Sequence, residues 1–138
     1  MGKLLRRKRM SIFTVNYIKI LKMITYIELW KAKQAWTDLS KEERGNYLTA
    51  LGPAIRQLME SGVQIVSWGN NLAETFSKAA YDYFAVWSFP NVETAQNFEK
   101  MVEGAGWYNY FDQVNAMGNA TSPQEVMGAM IDMEKHND

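Results

Sequence analysis

Three observations predict an α+β domain with the order β-α-β-β-α-β. Four short runs alternate β-branched and aromatic residues with polar ones. Two stretches between them repeat apolar residues at helical spacing. A capping residue precedes each of those stretches.

The first strand is Ile24–Lys31 (ITYIELWK). A helix is predicted within 38–62. Ser40 and Glu43 form a capping box, and Leu48, Leu51, Ile55, Leu58 and Met59 form the apolar stripe. Gly62 ends it, since glycine adopts the left-handed conformation without strain. Pro53 removes a helical hydrogen bond, so a kink or break is expected near Gly52–Pro53. Val63–Gly69 is the second strand, 70–80 a polar loop, and Tyr81–Phe89 the third strand. Asn91 caps a helix to about Glu103, with Val92, Ala95, Phe98 and Val102 on its apolar side and Gly104 and Gly106 as the stop. The fourth strand is Tyr110–Ala116. Ser122-Pro123-Gln124-Glu125 then opens a short Met-rich helix to about Met133. Right-handed crossovers place both main helices on one face of a four-stranded antiparallel sheet, the ferredoxin-like arrangement.

Alternation divides each strand into two faces. Ile27, Leu29, Val63, Ile65, Phe84 and Val86 suit the helix-covered core. Tyr26, Glu28, Trp30, Gln64, Val66, Trp68, Tyr83 and Trp87 then point away from it. The fourth strand adds either Gln113 and Asn115 or Asp112 and Val114 to this outer set. A shift of one residue would exchange the two faces. An outer face with three tryptophans and two tyrosines is larger than monomers leave exposed, so a homodimer with its sheets face to face is expected. The enclosed space would be either a ligand pocket or simply the packed interior of the dimer.

The chain of 138 residues suits one domain. It contains no cysteine, which excludes disulfides, thiolate nucleophiles and Cys-ligated metals and favours the cytoplasm. Net charge is zero, yet residues 1–22 hold seven basic residues and no acid, leaving the remainder acidic. An acidic domain argues against nucleic-acid binding. Residues 1–22 lack the unbroken apolar run and cleavage site of a secretory signal. They are expected to be a disordered basic extension, with Met23 a candidate natural start; contact with an anionic membrane surface is the alternative. Residues 23–117 form the domain and 118–138 a helix and tail. The sole histidine, His136, sits near the C-terminus, so no histidine triad, metal site or cofactor is expected.

The segments ITYIELWKAKQAW, DLSKEERGNYLTALGPAIRQLMESGV, SWGNN, YDYFAVWSFP and GWYNYFDQVNA resemble a bacterial family known only as a domain of unknown function. The resemblance covers about Met23 to Met117. It implies a fold like that of the dimeric α/β-barrel superfamily, which includes cofactor-free monooxygenases, haem-degrading enzymes and small isomerases. The lack of an internal histidine speaks against the haem-degrading pattern.

Glu28 is the candidate acid or base, because enclosure between Tyr26 and Trp30 would raise its pKa. Hydrogen bonding to a tyrosine, or pairing across the dimer with Lys31 or Arg56, is the structural alternative. Tyr26, Trp30, Trp68, Tyr83, Trp87, Gln113 and Asn115 are candidate ligand contacts. Asn70 and Asn71 could bind polar groups or simply form a turn. Trp107, Tyr108, Tyr110 and Phe111 could form a wall or a lid. The expected function is binding of a small apolar or aromatic molecule. A cofactor-independent monooxygenase or isomerase, or a purely structural dimer, are the alternatives.

Overall fold

A computed structural model describes residues 23–136. The segment 1–22, and with it the expectation of a disordered extension or surface anchor, lies outside the described residues.

The strands are β1 (Ile24–Ala32), β2 (Gln64–Asn70), β3 (Tyr83–Phe89) and β4 (Phe111–Asn119). The helices are α1 (Gln34–Thr37), α2 (Lys41–Ala50), α3 (Gly52–Glu60), α4 (Val92–Gly104), α5 (Trp107–Tyr110) and α6 (Pro123–Ile131). The strands form one sheet of order β2-β3-β1-β4, every neighbouring pair antiparallel. This is the ferredoxin-like α+β order.

Local chemistry accounts for the boundaries. The Ser40 hydroxyl accepts from the Glu43 N–H at 3.1 Å, and the Glu43 carboxylate accepts from the Ser40 N–H at 2.9 Å. Pro53 divides the helical stretch: α2 ends at Ala50, capped by Leu51, and α3 begins at Gly52 with proline in its first turn, where no amide hydrogen is needed. Gly62, at φ +97°, turns the chain into β2. The Asn91 side chain accepts from the Thr94 N–H at 2.8 Å and opens α4. Ser122 accepts from the Glu125 N–H at 3.2 Å and opens α6. The one-turn helices α1 and α5 are too short to leave a periodic signal in the sequence.

The facing of the sheet corrects the expectation from alternation. Tyr26, Trp30, Ala85, Trp87 and Phe89 pack with Ala95 and Phe98 of α4 in the buried core. The aromatic set therefore lies under the helices. Ile27, Leu29, Phe84 and Val86 occupy the uncovered face, where Ile27 is 39 % and Val114 45 % exposed. Period-2 alternation separates two sets without saying which set is covered; here the bulkier rings fill the space beneath α4. Val63 and Ile65 do face the helices. A bulge between Ile65 and Ser67 then reverses the phase, so Trp68, paired with Ala85, joins the covered face. On β4 the open choice resolves to Gln113 and Asn115, which pair with Trp30 and Glu28. Among the described residues no helix is long and apolar enough to cross a membrane.

Candidate functional site

Between the sheet and the helices lies a cavity of about 230 Å³. Glu28 and Trp30 of β1, Trp68 of β2 and Trp87 of β3 form its floor. Its roof is Ala50, Leu51, Ala54 and Ile55 from the α2–α3 junction, with Phe98, Met101 and Val102 from α4. Ala105 and Trp107 close the side. The break at Pro53 matters here. It lets two short helices bend over the sheet, and Ala50 and Ala54 keep that bend thin enough to leave space beneath it.

Glu28 is the one charged side chain in this lining and is only 5 % exposed. The Trp87 indole N–H donates to its Oε1 at 2.5 Å, and the Gln113 amide donates to its Oε2 at 2.6 Å. Gln113 is held in turn: its Oε1 accepts from the Trp107 indole at 2.8 Å, and its amide also donates to Asn115 Oδ1 at 2.8 Å. These bonds run from β3 through β1 to β4 and α5, and they fix the carboxyl group. Burial raises the Glu28 pKa; the bonds from Trp87 and Gln113 act to lower it, and nearby Glu99 to raise it. Burial likewise raises Tyr108, against a lowering hydrogen bond with Asn115. Tyr26 donates to Glu99 Oε1 at 2.8 Å, and burial followed by that bond raises its pKa.

The structure brings Glu28, Trp30, Trp68 and Trp87 into one cavity, with Gln113 and Asn115 flanking the carboxyl group. Tyr26 does not line the cavity; it packs edge-on to Phe89 and Phe98. Tyr83 instead lines an adjoining pocket of about 490 Å³, which shares Trp30, Trp68 and Trp107 with the cavity. All of these belong to the helix-covered side of the chain's own sheet, not to a space between two sheets. Trp107 serves as wall to both spaces. Asn70 lines the outer pocket, whereas the Asn71 amide is used by the carbonyls of Ala79 and Tyr81, at 3.0 and 2.9 Å. Within the chain, neither Lys31 nor Arg56 forms an ion pair with Glu28. Glu99 and the helical lining carried no sequence signal beyond ordinary amphipathicity. His136 stands exposed beyond α6, so the cavity offers no imidazole to a haem iron.

None of the curated proteins matches the chain in sequence. Among solved structures, it is similar to chlorite dismutase from Candidatus Nitrospira defluvii in complex with imidazole. The TM-score is 0.62 at 14 % identity, covering 82 % of this chain and 47 % of that one. A variant of the same enzyme gives 0.60 at 13 % identity, covering 89 % and 54 %. The chain thus spans about half the length of these proteins, and at such identity the likeness establishes the fold alone. Over residues 23–133 the sequence matches the family of unknown function DUF6616, and the chain belongs to that family.

Proposed function

We propose that this is a homodimeric protein that binds a small apolar or partly aromatic molecule in the cavity between its sheet and its helices, with Glu28 as the polar anchor. The observation that carries the reading is an apolar, tryptophan-lined space built around a single carboxyl group that a bond network holds in place. That combination of apolar walls and few fixed polar groups suits a small-ligand site. A purely structural domain would gain by filling the same space. The dimer follows from the other face. Ile27, Leu29, Phe84, Val86 and Val114 form an apolar surface that no helix covers, and Val126, Met127, Met130 and Ile131 of α6 are also exposed. Two sheets packed face to face would bury the first surface. A cytoplasmic location accompanies this reading, favoured by the cysteine-free composition.

The test is native mass spectrometry of the protein purified gently from its own host, beside an Ala54→Trp variant that fills the cavity. A dimer carrying a small organic adduct, lost in the variant, is the expected result. An adduct unaffected by Ala54→Trp would place the ligand elsewhere, and a monomer would remove the dimer.

A second reading has its own observation. A buried carboxyl group with a raised pKa in an apolar cavity suits proton transfer to or from carbon or oxygen, as a cofactor-independent monooxygenase or isomerase requires. Glu28→Gln would then abolish turnover while leaving ligand binding measurable.

A further inference from the structure

We propose that the ligand of this cavity carries a positive charge: an organic ammonium, with an aromatic or branched apolar body, seated on the indoles with its cationic end at Glu28. The inference rests on the small-ligand reading above and names its chemical class.

The first observation is the missing counter-ion. Among the described residues the ion pairs are Lys33–Asp112 and Lys78–Glu74, and Glu28 takes part in neither. No lysine, arginine or histidine lines the cavity. A buried carboxylate without a counter-ion is costly, and a bound cation would relieve that cost. Two neutral donors hold Glu28, one on each oxygen, and a carboxylate can accept about four bonds. Acceptor capacity thus remains for an N–H donor from a ligand.

The second observation is the wall. Trp30, Trp68, Trp87 and Trp107 all line the space. Indole is the best aromatic partner for a cation, which its ring face attracts. The Trp87 and Trp107 N–H groups are turned toward Glu28 and Gln113, so the polar edges of those rings are already engaged. Trp30 and Trp68 stand edge to face, with ring centres 5.6 Å apart. A neutral aromatic molecule would find stacking here, but an ammonium would gain both the rings and the carboxylate.

The third observation is the surrounding field. The ionisable groups bearing on Glu28 are Glu99 of α4, together with Tyr26 of β1 and Tyr108 of α5; Glu103 of α4 also bears on Tyr108. All are acidic or neutral, and none competes with a cation. An anionic ligand would meet repulsion from Glu28 and Glu99.

The test is calorimetric titration of the full-length protein at pH 8 with 2-phenylethylamine, 2-phenylethanol and 3-phenylpropanoate, which differ chiefly in charge. The amine is expected to bind at least about tenfold more tightly than the alcohol, with no detectable binding of the propanoate. In Glu28→Gln, amine and alcohol should bind within about twofold of each other. Because that variant could disturb the fold, the ranking in the unaltered protein is decisive by itself. Equal binding of amine and alcohol, or tightest binding of the propanoate, overturns the charge assignment and leaves the small-ligand reading in place. Absence of binding by all three overturns this proposal; loss of the native adduct test as well would overturn the reading beneath it.

Discussion

The two faces of the sheet are built from the same strands and differ in chemistry. The covered face carries Tyr26, Glu28, Trp30, Trp68, Trp87 and Gln113: large rings, one carboxyl group and the donors that hold it. The uncovered face carries Ile27, Leu29, Phe84, Val86 and Val114, with no comparable polar network. Rings and fixed hydrogen bonds leave shaped space and orient polar groups, which suits recognition of a small molecule. These apolar side chains, aliphatic apart from Phe84, pack without directional demands, which suits a sheet-to-sheet contact. Under the proposed function, binding falls to one face and assembly to the other.

The largest expected effect is on the covered face. Trp87→Ala removes a fully buried ring and deprives Glu28 of a donor, so urea unfolding should show a loss of about 3–5 kcal/mol. Val86→Ala, on the uncovered face of the same strand, should cost only about 1 kcal/mol at equal protein concentration. Equal losses would erase the distinction between the faces. The uncovered face has its own break point. Ile27→Asp places a charge where the sheets would meet, and light scattering should show a monomer with unchanged helix content.

A third prediction uses pH. The pKa of Glu28 is raised in the folded state, so folding favours its protonated form. The stability associated with this group is fully present below the ordinary carboxyl pKa. It is lost as pH rises from there through the raised value. Wild type should therefore lose stability relative to Glu28→Gln over that interval, and parallel pH profiles would contradict the assigned burial. The smallest effect lies outside both faces: Ser40→Ala removes the cap of α2 and should cost about 1 kcal/mol in thermal unfolding.

The order of elements was legible because it is written in local signals. Ser40 with Glu43, Pro53, Gly62 and Asn91 each act within a few residues of themselves. On β1, β3 and β4 the members of the covered face were legible too, as an alternating set with Glu28 among aromatics; on β2 Gln64 and Val66 were grouped with that set, but Gln64 lies on the other face and Val66 in the bulge. What alternation could not supply was its sign. Ile27 and Tyr26 are both apolar enough to be core, and only the position of α4 decides between them. Trp68 shows a second limit: one bulged residue reverses a strand's phase and leaves no composition signal. The cavity was also illegible, because it depends on small residues, Ala50, Ala54 and Ala105, brought together from separate segments.

The proposed binding face is the helix-covered one, within a single chain. It is tested most directly by ¹⁹F NMR of protein labelled with 5-fluorotryptophan, titrated with toluene, in wild type and in Ile27→Asp. The account predicts that Trp30, Trp68, Trp87 and Trp107 shift strongly and Trp36 weakly, and that the pattern is the same in the variant. Still resonances at the four cavity indoles, or shifts that disappear when the uncovered face is charged, would contradict it.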